Sequence, residues 1–311
     1  MRKYQFLLLA ALLLLFSCEK TTKVDEYAQL IDHQYTLIKV NYEQLYQNRS
    51  SLYNTMNINP RDENGVPLFV WEGEHYYHPV LIGQRCQQAL SDYHNTHSES
   101  YLDFVRSSVS ALSAHATRIE DKTLFPYGFD FSPGHTDHTY LAPWYSGMAQ
   151  GVLLSLFSRM YYVTNEARYK ELADSTFASL ADIQSPFACV YVSDSDTLGV
   201  APGYYWVDEY PNPEQRYVLN GSIIGSYGLY DYWWVFGDRR AHKLFSMQLS
   251  SIRDNILLFR NPGEVSSYCL RFKFQDPYYH DLHQKLLNQY YLYTQDYHFQ
   301  AVSNLFYADH H

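Results

Sequence analysis

An all-α fold of the (α/α) toroid type is predicted, incomplete and built of about four helical hairpins behind an N-terminal helix. Three observations carry this expectation. A helix, a tight polar turn and a second helix recur four times; the repeat is roughly 60 to 70 residues long; and an aromatic, proline-bearing link precedes each first helix. Stacked αα units with long links form a solenoid or a toroid; the toroid is the expectation, and an irregular helical bundle is the alternative.

Met1–Ser17 places Arg2 and Lys3 before a continuous apolar run, Phe6 to Phe16, which is too short to span a bilayer and fits a secretory signal. Leu15-Phe16-Ser17-Cys18 resembles a bacterial lipobox. Cys18 is therefore the expected lipidation site and residues 18–25 its tether, anchoring the chain to a membrane of the bacterial cell envelope. From Asp25 to Tyr53, Leu30, Ile31, Leu37, Ile38, Leu45 and Leu52 are spaced as on a long amphipathic helix. Asn59-Pro60 and Asn64-Gly65-Val66-Pro67 then mark turns around an aromatic segment. Residues 26–78 are read as a helix and rim packed on a main domain spanning 79–311.

In that domain the expected pairs are Pro79–His94 with Glu99–Ala116, Trp144–Val163 with Glu166–Leu180, Leu219–Phe236 with Arg239–Leu257, and Tyr279–Tyr293 with Asp296–Phe306. Asn165, Asp238 and Gln295 stand in N-cap-like places at three joints. Equivalent ends of equivalent helices share one rim. The four links, at His75–Pro79, Tyr140–Tyr145, Tyr204–Tyr217 and Asp276–His280, should therefore converge on one mouth, with the tight turns on the opposite face.

Composition narrows the function. Loss of Arg2 and Lys3 with the leader takes the formal net charge from −10 to about −12, which excludes a nucleic-acid binder with a basic stripe. The 32 Tyr and 17 Phe suit a groove whose rings stack on sugars, though their spread locates no site. Cys86, Cys189 and Cys269 match no metal spacing and read as buried thiols, with one disulfide left open. Gly134-His135-Thr136-Asp137-His138 reads as a polar loop, and His280 with His283 lacks a third ligand, so no metal and no cofactor is expected. Gly221, Gly225 and Gly228 suit close helix packing and follow no strand, so they form no dinucleotide fingerprint.

Several ordered stretches resemble the C-terminal helical domain of the D-glucuronyl C5-epimerases. They are Ala142–Gly151, Asp208-Glu209-Tyr210-Pro211, Val218–Gly221 with Gly228–Tyr232, Ser267–Arg271, and Tyr279-His280-Asp281-Leu282-His283. The resemblance implies an (α/α) toroid that converts D-glucuronate to L-iduronate within a heparan-type chain. It transfers an acid–phenol pair to Glu209 and Tyr210, a Tyr-x-x-Arg to Tyr268 and Arg271, and a phenol before His to Tyr279. Tyr145, Gln150, Asn220 and His280 lie in the matched stretches as expected substrate-binding residues. Three departures bear on the groove and the substrate. Leu258-Phe259-Arg260-Asn261-Pro262-Gly263 replaces the usual approach to Tyr-x-x-Arg, the link from Arg271 to Tyr279 is short, and the β-rich N-terminal region is missing.

Inverting C5 of a uronate needs a cation on the carboxylate, a base on one face and an acid on the other. Arg271 suits the carboxylate. Glu209 or Tyr210 suits one face, Tyr279 the other, and Tyr268 the developing enolate. A phenol acts as a base at neutral pH only if a cation lowers its pKa, which places Arg271 beside a phenol. Two alternatives remain: a polysaccharide lyase on uronate glycans, and a glycan-binding lipoprotein without catalysis. The partner is a uronate-containing polysaccharide in either case, and the reading leaves room for a homodimer.

Overall fold

The computed structural model describes residues 26–47, 58–133, 138–195 and 198–311; the leader and Cys18 lie outside them. Eight α-helices form four hairpins among the described residues: α1 (Pro79–Thr96) with α2 (Glu99–His115), α3 (Gly147–Thr164) with α4 (Ala167–Ala181), α5 (Leu219–Phe236) with α6 (Arg239–Asn255), and α7 (Pro277–Thr294) with α8 (Tyr297–Asp309). The first helices pack side by side in the order α1, α3, α5, α7, and each second helix backs its own first helix. This is the expected (α/α) toroid.

Composition dictates the layering. α3 and α5 are apolar around most of their circumference, so they become the innermost helices, buried on nearly every side. Their contact depends on Gly225 and Gly228, expected from their spacing to pack closely, and on Gly151 opposite them. A Cβ on Gly151 would strike the Gly225 backbone, and one on Gly228 the Gly151 carbonyl, so the two helices pack backbone to backbone.

Each hairpin turns the same way. His97, Asn165, Gly237 and Gln295 close the first helices with φ of 56°, 57°, 67° and 57°. This left-handed residue is the usual C-terminal stop of a helix. Asn165 and Gln295 therefore terminate α3 and α7, where the sequence suggested N-caps. Asp238 does cap α6, accepting from the Ala241 amide, and Asp296 caps α8.

The expected N-terminal helix is absent over residues 26–47. They form an extended strap with one 3-10 turn, Tyr42–Gln44. The helical spacing of its apolar residues is overridden because its backbone groups find partners on the hairpins. Ile38 N donates to Tyr293 O, the Trp234 indole donates to Val40 O, and Tyr46 N donates to the Tyr293 hydroxyl. His94 of α1 contacts Glu43 at 2.9 Å, while Gln289 of α7 donates to Gln44 O at 2.8 Å. The turn thus fills the gap between the two ends of the helical arc. One buried ion pair stands beside it: Arg159 Nη2 lies 2.7 Å from Asp231 and bonds Tyr46 O.

Three two-stranded hairpins decorate the opposite rim: β1 (Phe69–Trp71) with β2 (Glu74–Tyr76), β3 (Thr117–Ile119) with β4 (Lys122–Leu124), and β5 (Val190–Val192) with β6 (Tyr205–Val207). Cys86, Cys189 and Cys269 are free and buried. No helix among the described residues is long and apolar enough to cross a membrane.

Candidate active site

The four links do meet at one mouth. Ahead of α1, β1 supplies Phe69 and the helix start supplies His78. The second link supplies Trp144, the stretch between β4 and that link supplies Tyr127, Phe129 and Phe131, and the third link supplies Glu209 and Tyr210. Together they enclose a cavity of about 200 Å³ walled largely by rings. Tyr127 stacks on Trp144 at 4.0 Å between centroids, and the Trp144 indole donates to Phe129 O, so this wall is held rigidly. The fourth link brings Tyr279 and the small hairpin just ahead of it brings Tyr268, and both pack with Tyr210 at the cavity's edge.

Helix starts position the polar groups. His78 caps α1 by accepting the Leu81 amide at Nδ1, which leaves the proton on Nε2; burial lowers its pKa to about 4, so the ring is neutral. Ser146 caps α3. The loop bearing Glu209 leaves β6 and is tied down by Gly147 N donating to Asp208 O and Tyr210 N to Asp208 Oδ1. Glu209 then turns into the first turn of α5, where Gly221 makes room: a Cβ there would overlap the carboxylate.

Glu209 is the carboxylate of the cavity wall. It is 9% exposed, and Tyr268 donates its hydroxyl to Oε2 at 3.2 Å although 59 residues separate the two. Burial pushes the Glu209 carboxyl up to about 7, partly opposed by the Tyr268 and Tyr210 hydroxyls. Asp208, beside it and fully buried, is also raised to about 7 by burial. The phenols stay protonated. Burial and the Glu209 charge raise Tyr279 to about 12 and hold Tyr210 and Tyr268 well above the usual phenol range. A carboxyl near 7 and three high-pKa phenols make Glu209 the group fit to accept a proton and the tyrosines the groups fit to donate one.

Other expected residues fall elsewhere. Ser267 to Gln275 is a small hairpin rather than a helix, with Tyr268 N donating to Phe274 O, so Tyr268 and Arg271 do not share a helix face. Arg271 Nε instead donates to Glu214 O at 2.9 Å and Gln215 O at 3.1 Å, and the phenol its charge acts to lower is Tyr217, not Tyr210, Tyr268 or Tyr279. Gln150 is buried with its amide committed to Phe125 N, Thr123 O and Ser179, which makes it a tie between α3 and its neighbours rather than a ligand contact. His280 accepts Ser266 N at Nδ1 and donates from Nε2 to Phe306 O, so its ring is used up in packing α7 on α8. Tyr145 donates to Thr117, away from the cavity. Asn220 is buried next to Gly221, and its Oδ1 has no hydrogen-bond partner among the described residues. Residues 134–137 of the histidine loop lie outside the described residues.

The sequence reading passed over Asp208, His78 and Arg216. Arg216 is 1% exposed, under the rings of Tyr140 and Phe272. The available signal was a lone arginine between a proline-bearing loop and an apolar helix.

With this geometry in place, comparison with known proteins is informative. A family model described as D-glucuronyl C5-epimerase C-terminus matches residues 120–307. The chain belongs to this D-glucuronyl C5-epimerase C-terminal family. Three of the four expected links lie in the matched span; the one before α1 does not. The D-glucuronyl C5-epimerase of Caenorhabditis elegans is 34% identical over 88 residues. That stretch is 28% of this chain and only 13% of the worm protein. Among solved structures, cellobiose 2-epimerase from Bacillus thermoamylovorans B4167 superposes with a TM-score of 0.52 at 11% identity, covering 75% of this chain and 59% of that one; it shares the fold. The glycoside hydrolase family 76 mannosidase Bt3792 from Bacteroides thetaiotaomicron VPI-5482 gives a TM-score of 0.47 at 10% identity, covering 76% and 60%.

Proposed function

We propose that this protein is a carbohydrate epimerase that inverts C5 of uronate residues in a heparan-type polysaccharide. The observation that carries the reading is the buried Glu209 carboxyl, near 7 and bonded to Tyr268, with Tyr210 and Tyr279 beside it. The Glu209 carboxylate removes the C5 proton, and the electron pair moves into the adjacent substrate carboxylate as an enolate. Tyr279 gives a proton to C5 from the other face and is left as a phenolate. The Tyr268 hydroxyl, already bonded to Glu209, provides a route by which the captured proton returns to the phenolate. The rings of Trp144, Tyr127 and Phe131 suit stacking on sugar faces. The substrate carboxylate requires a cation beside it, and Arg271, the residue expected to supply one, is tied to Glu214 O and Gln215 O.

The test is solvent deuterium incorporation at C5 of non-sulfated heparosan oligosaccharides in D2O, with Glu209→Gln in parallel. Exchange without cleavage, lost in the variant, supports the epimerase. Exchange accompanied by an unsaturated uronate makes the protein a lyase, and binding without exchange makes it a glycan binder.

We also propose that Cys18 is lipidated and holds the protein in a bacterial cell envelope. Metabolic labelling with radioactive palmitate should mark the wild type and spare Cys18→Ala; equal labelling of both would refute the anchor.

A further inference from the structure

The strongest unexplained group is Arg216. Its Nε, Nη1 and Nη2 all lack a hydrogen-bond partner among the described residues, although the side chain is 1% exposed. A buried charge with unused donors is costly unless something binds it. Asp208 feels the charge, yet no ion pair joins the two among the described residues; Asp208 Oδ1 accepts the Tyr210 amide instead. Arg159, which is equally buried, provides the contrast: it is paired with Asp231 at 2.7 Å. Two aromatic faces lie against the Arg216 guanidinium, Tyr140 at 5.1 Å and Phe272 at 5.5 Å. Tyr140 and Phe272 belong to the two ring clusters that Tyr210 joins, so the guanidinium lies against rings that pack with the cavity wall.

The backbone that carries Arg216 is held in an unusual shape. Tyr217 has φ of 54°, a left-handed conformation that is strained for a bulky residue. Arg271 clamps the preceding turn through Glu214 O and Gln215 O, and its amide donates to Arg216 O at 3.4 Å. The neighbouring residues Pro213 and Glu214 are exposed, so the turn that covers Arg216 lies at the surface.

We propose that Arg216, held in place by the Arg271 clamp, is the anchor for a carboxylate of the bound uronate chain. A guanidinium offers five donors in a fork that fits a carboxylate bidentately, which is what an unpartnered Arg216 presents. Arg271 thereby becomes a positioning residue. The inference rests on the uronate reading above.

Calorimetric binding of a heparosan oligosaccharide and of its carboxyl-reduced, neutral counterpart, to wild type, Arg216→Met and Arg216→Lys, tests it. Wild type should prefer the acidic chain. Arg216→Met should lose about tenfold or more of its affinity for that chain alone, and Arg216→Lys should lose part of it. Unliganded Arg216→Met should melt no lower than wild type, because it removes an unpaired buried charge. An unchanged preference together with a lower melting temperature would make Arg216 a stacking residue and overturn the proposal. Should Arg216→Met fail to fold, an undiminished preference in Arg216→Lys would overturn it equally. Deuterium exchange on the wild type separates the two readings. Arg216-dependent binding without exchange refutes the epimerase and keeps the anchor. Exchange with an Arg216-independent preference refutes the anchor and keeps the epimerase. Binding of neither chain refutes both.

Discussion

The Tyr268 hydroxyl and the Glu209 carboxylate meet at 3.2 Å across two separate segments of the toroid, and this contact ties the third link to the small hairpin just ahead of the fourth. It keeps a buried acid hydrogen-bonded in either protonation state, as a group that must take up and release a proton requires.

The first prediction follows from that acid. Activity needs the Glu209 carboxylate, and burial raises its pKa to about 7, so kcat/KM for C5 exchange should rise with pH through about 7 and then level off. Glu209→Gln should lower exchange about 10²- to 10⁴-fold and abolish that limb of the profile. A variant that retains the limb would assign the base elsewhere.

Asp208 makes a stability prediction with a definite sign. Its folded pKa, about 7, lies above the ordinary 3.8, so the folded state binds the extra proton between these values. The stability this contributes is fully present below about pH 4 and is lost as the pH rises through about 7. Asp208→Asn should therefore match wild type at pH 4 and be the more stable at pH 8, by on the order of a few kcal/mol. Thermal melts at the two pH values decide it; a variant that is less stable at pH 8 contradicts the burial argument.

Gly151→Ala should cost more than about 3 kcal/mol, measured by urea unfolding. The added methyl meets the Gly225 backbone, which cannot swing aside as a side chain would. A neutral effect would mean that α3 and α5 lie farther apart.

Gln295→Gly should raise stability by about 1 kcal/mol, because the exposed residue sits at φ 57° where a Cβ is disfavoured. Its side-chain amide makes only long contacts of 3.4 and 3.5 Å, so little is lost. A lower melting temperature would show that those contacts matter.

The helices, their pairing and the shared mouth were legible in the sequence, because apolar periodicity and proline-bearing links are local signals. Gly225 and Gly228 likewise announced a close helix contact, since only residues without a Cβ permit it, whereas Gly221, read the same way, instead makes room for the Glu209 carboxylate. Glu209, Tyr210, Tyr268 and Tyr279 could be singled out by their ordered motifs, and the structure brings them together. Tertiary structure alone decided the rest. The strap at 26–47 carries helical spacing but is drawn out straight, because distant side chains such as Tyr293 and Trp234 satisfy its backbone. Gln150 and His280 look like ligands in the chain and prove to be internal ties, since their partners, Phe125 and Phe306 among them, are remote in sequence. The protonation of Glu209 and the isolation of Arg216 both depend on what surrounds each group, and burial is set by the packed chain as a whole rather than by any local stretch of it.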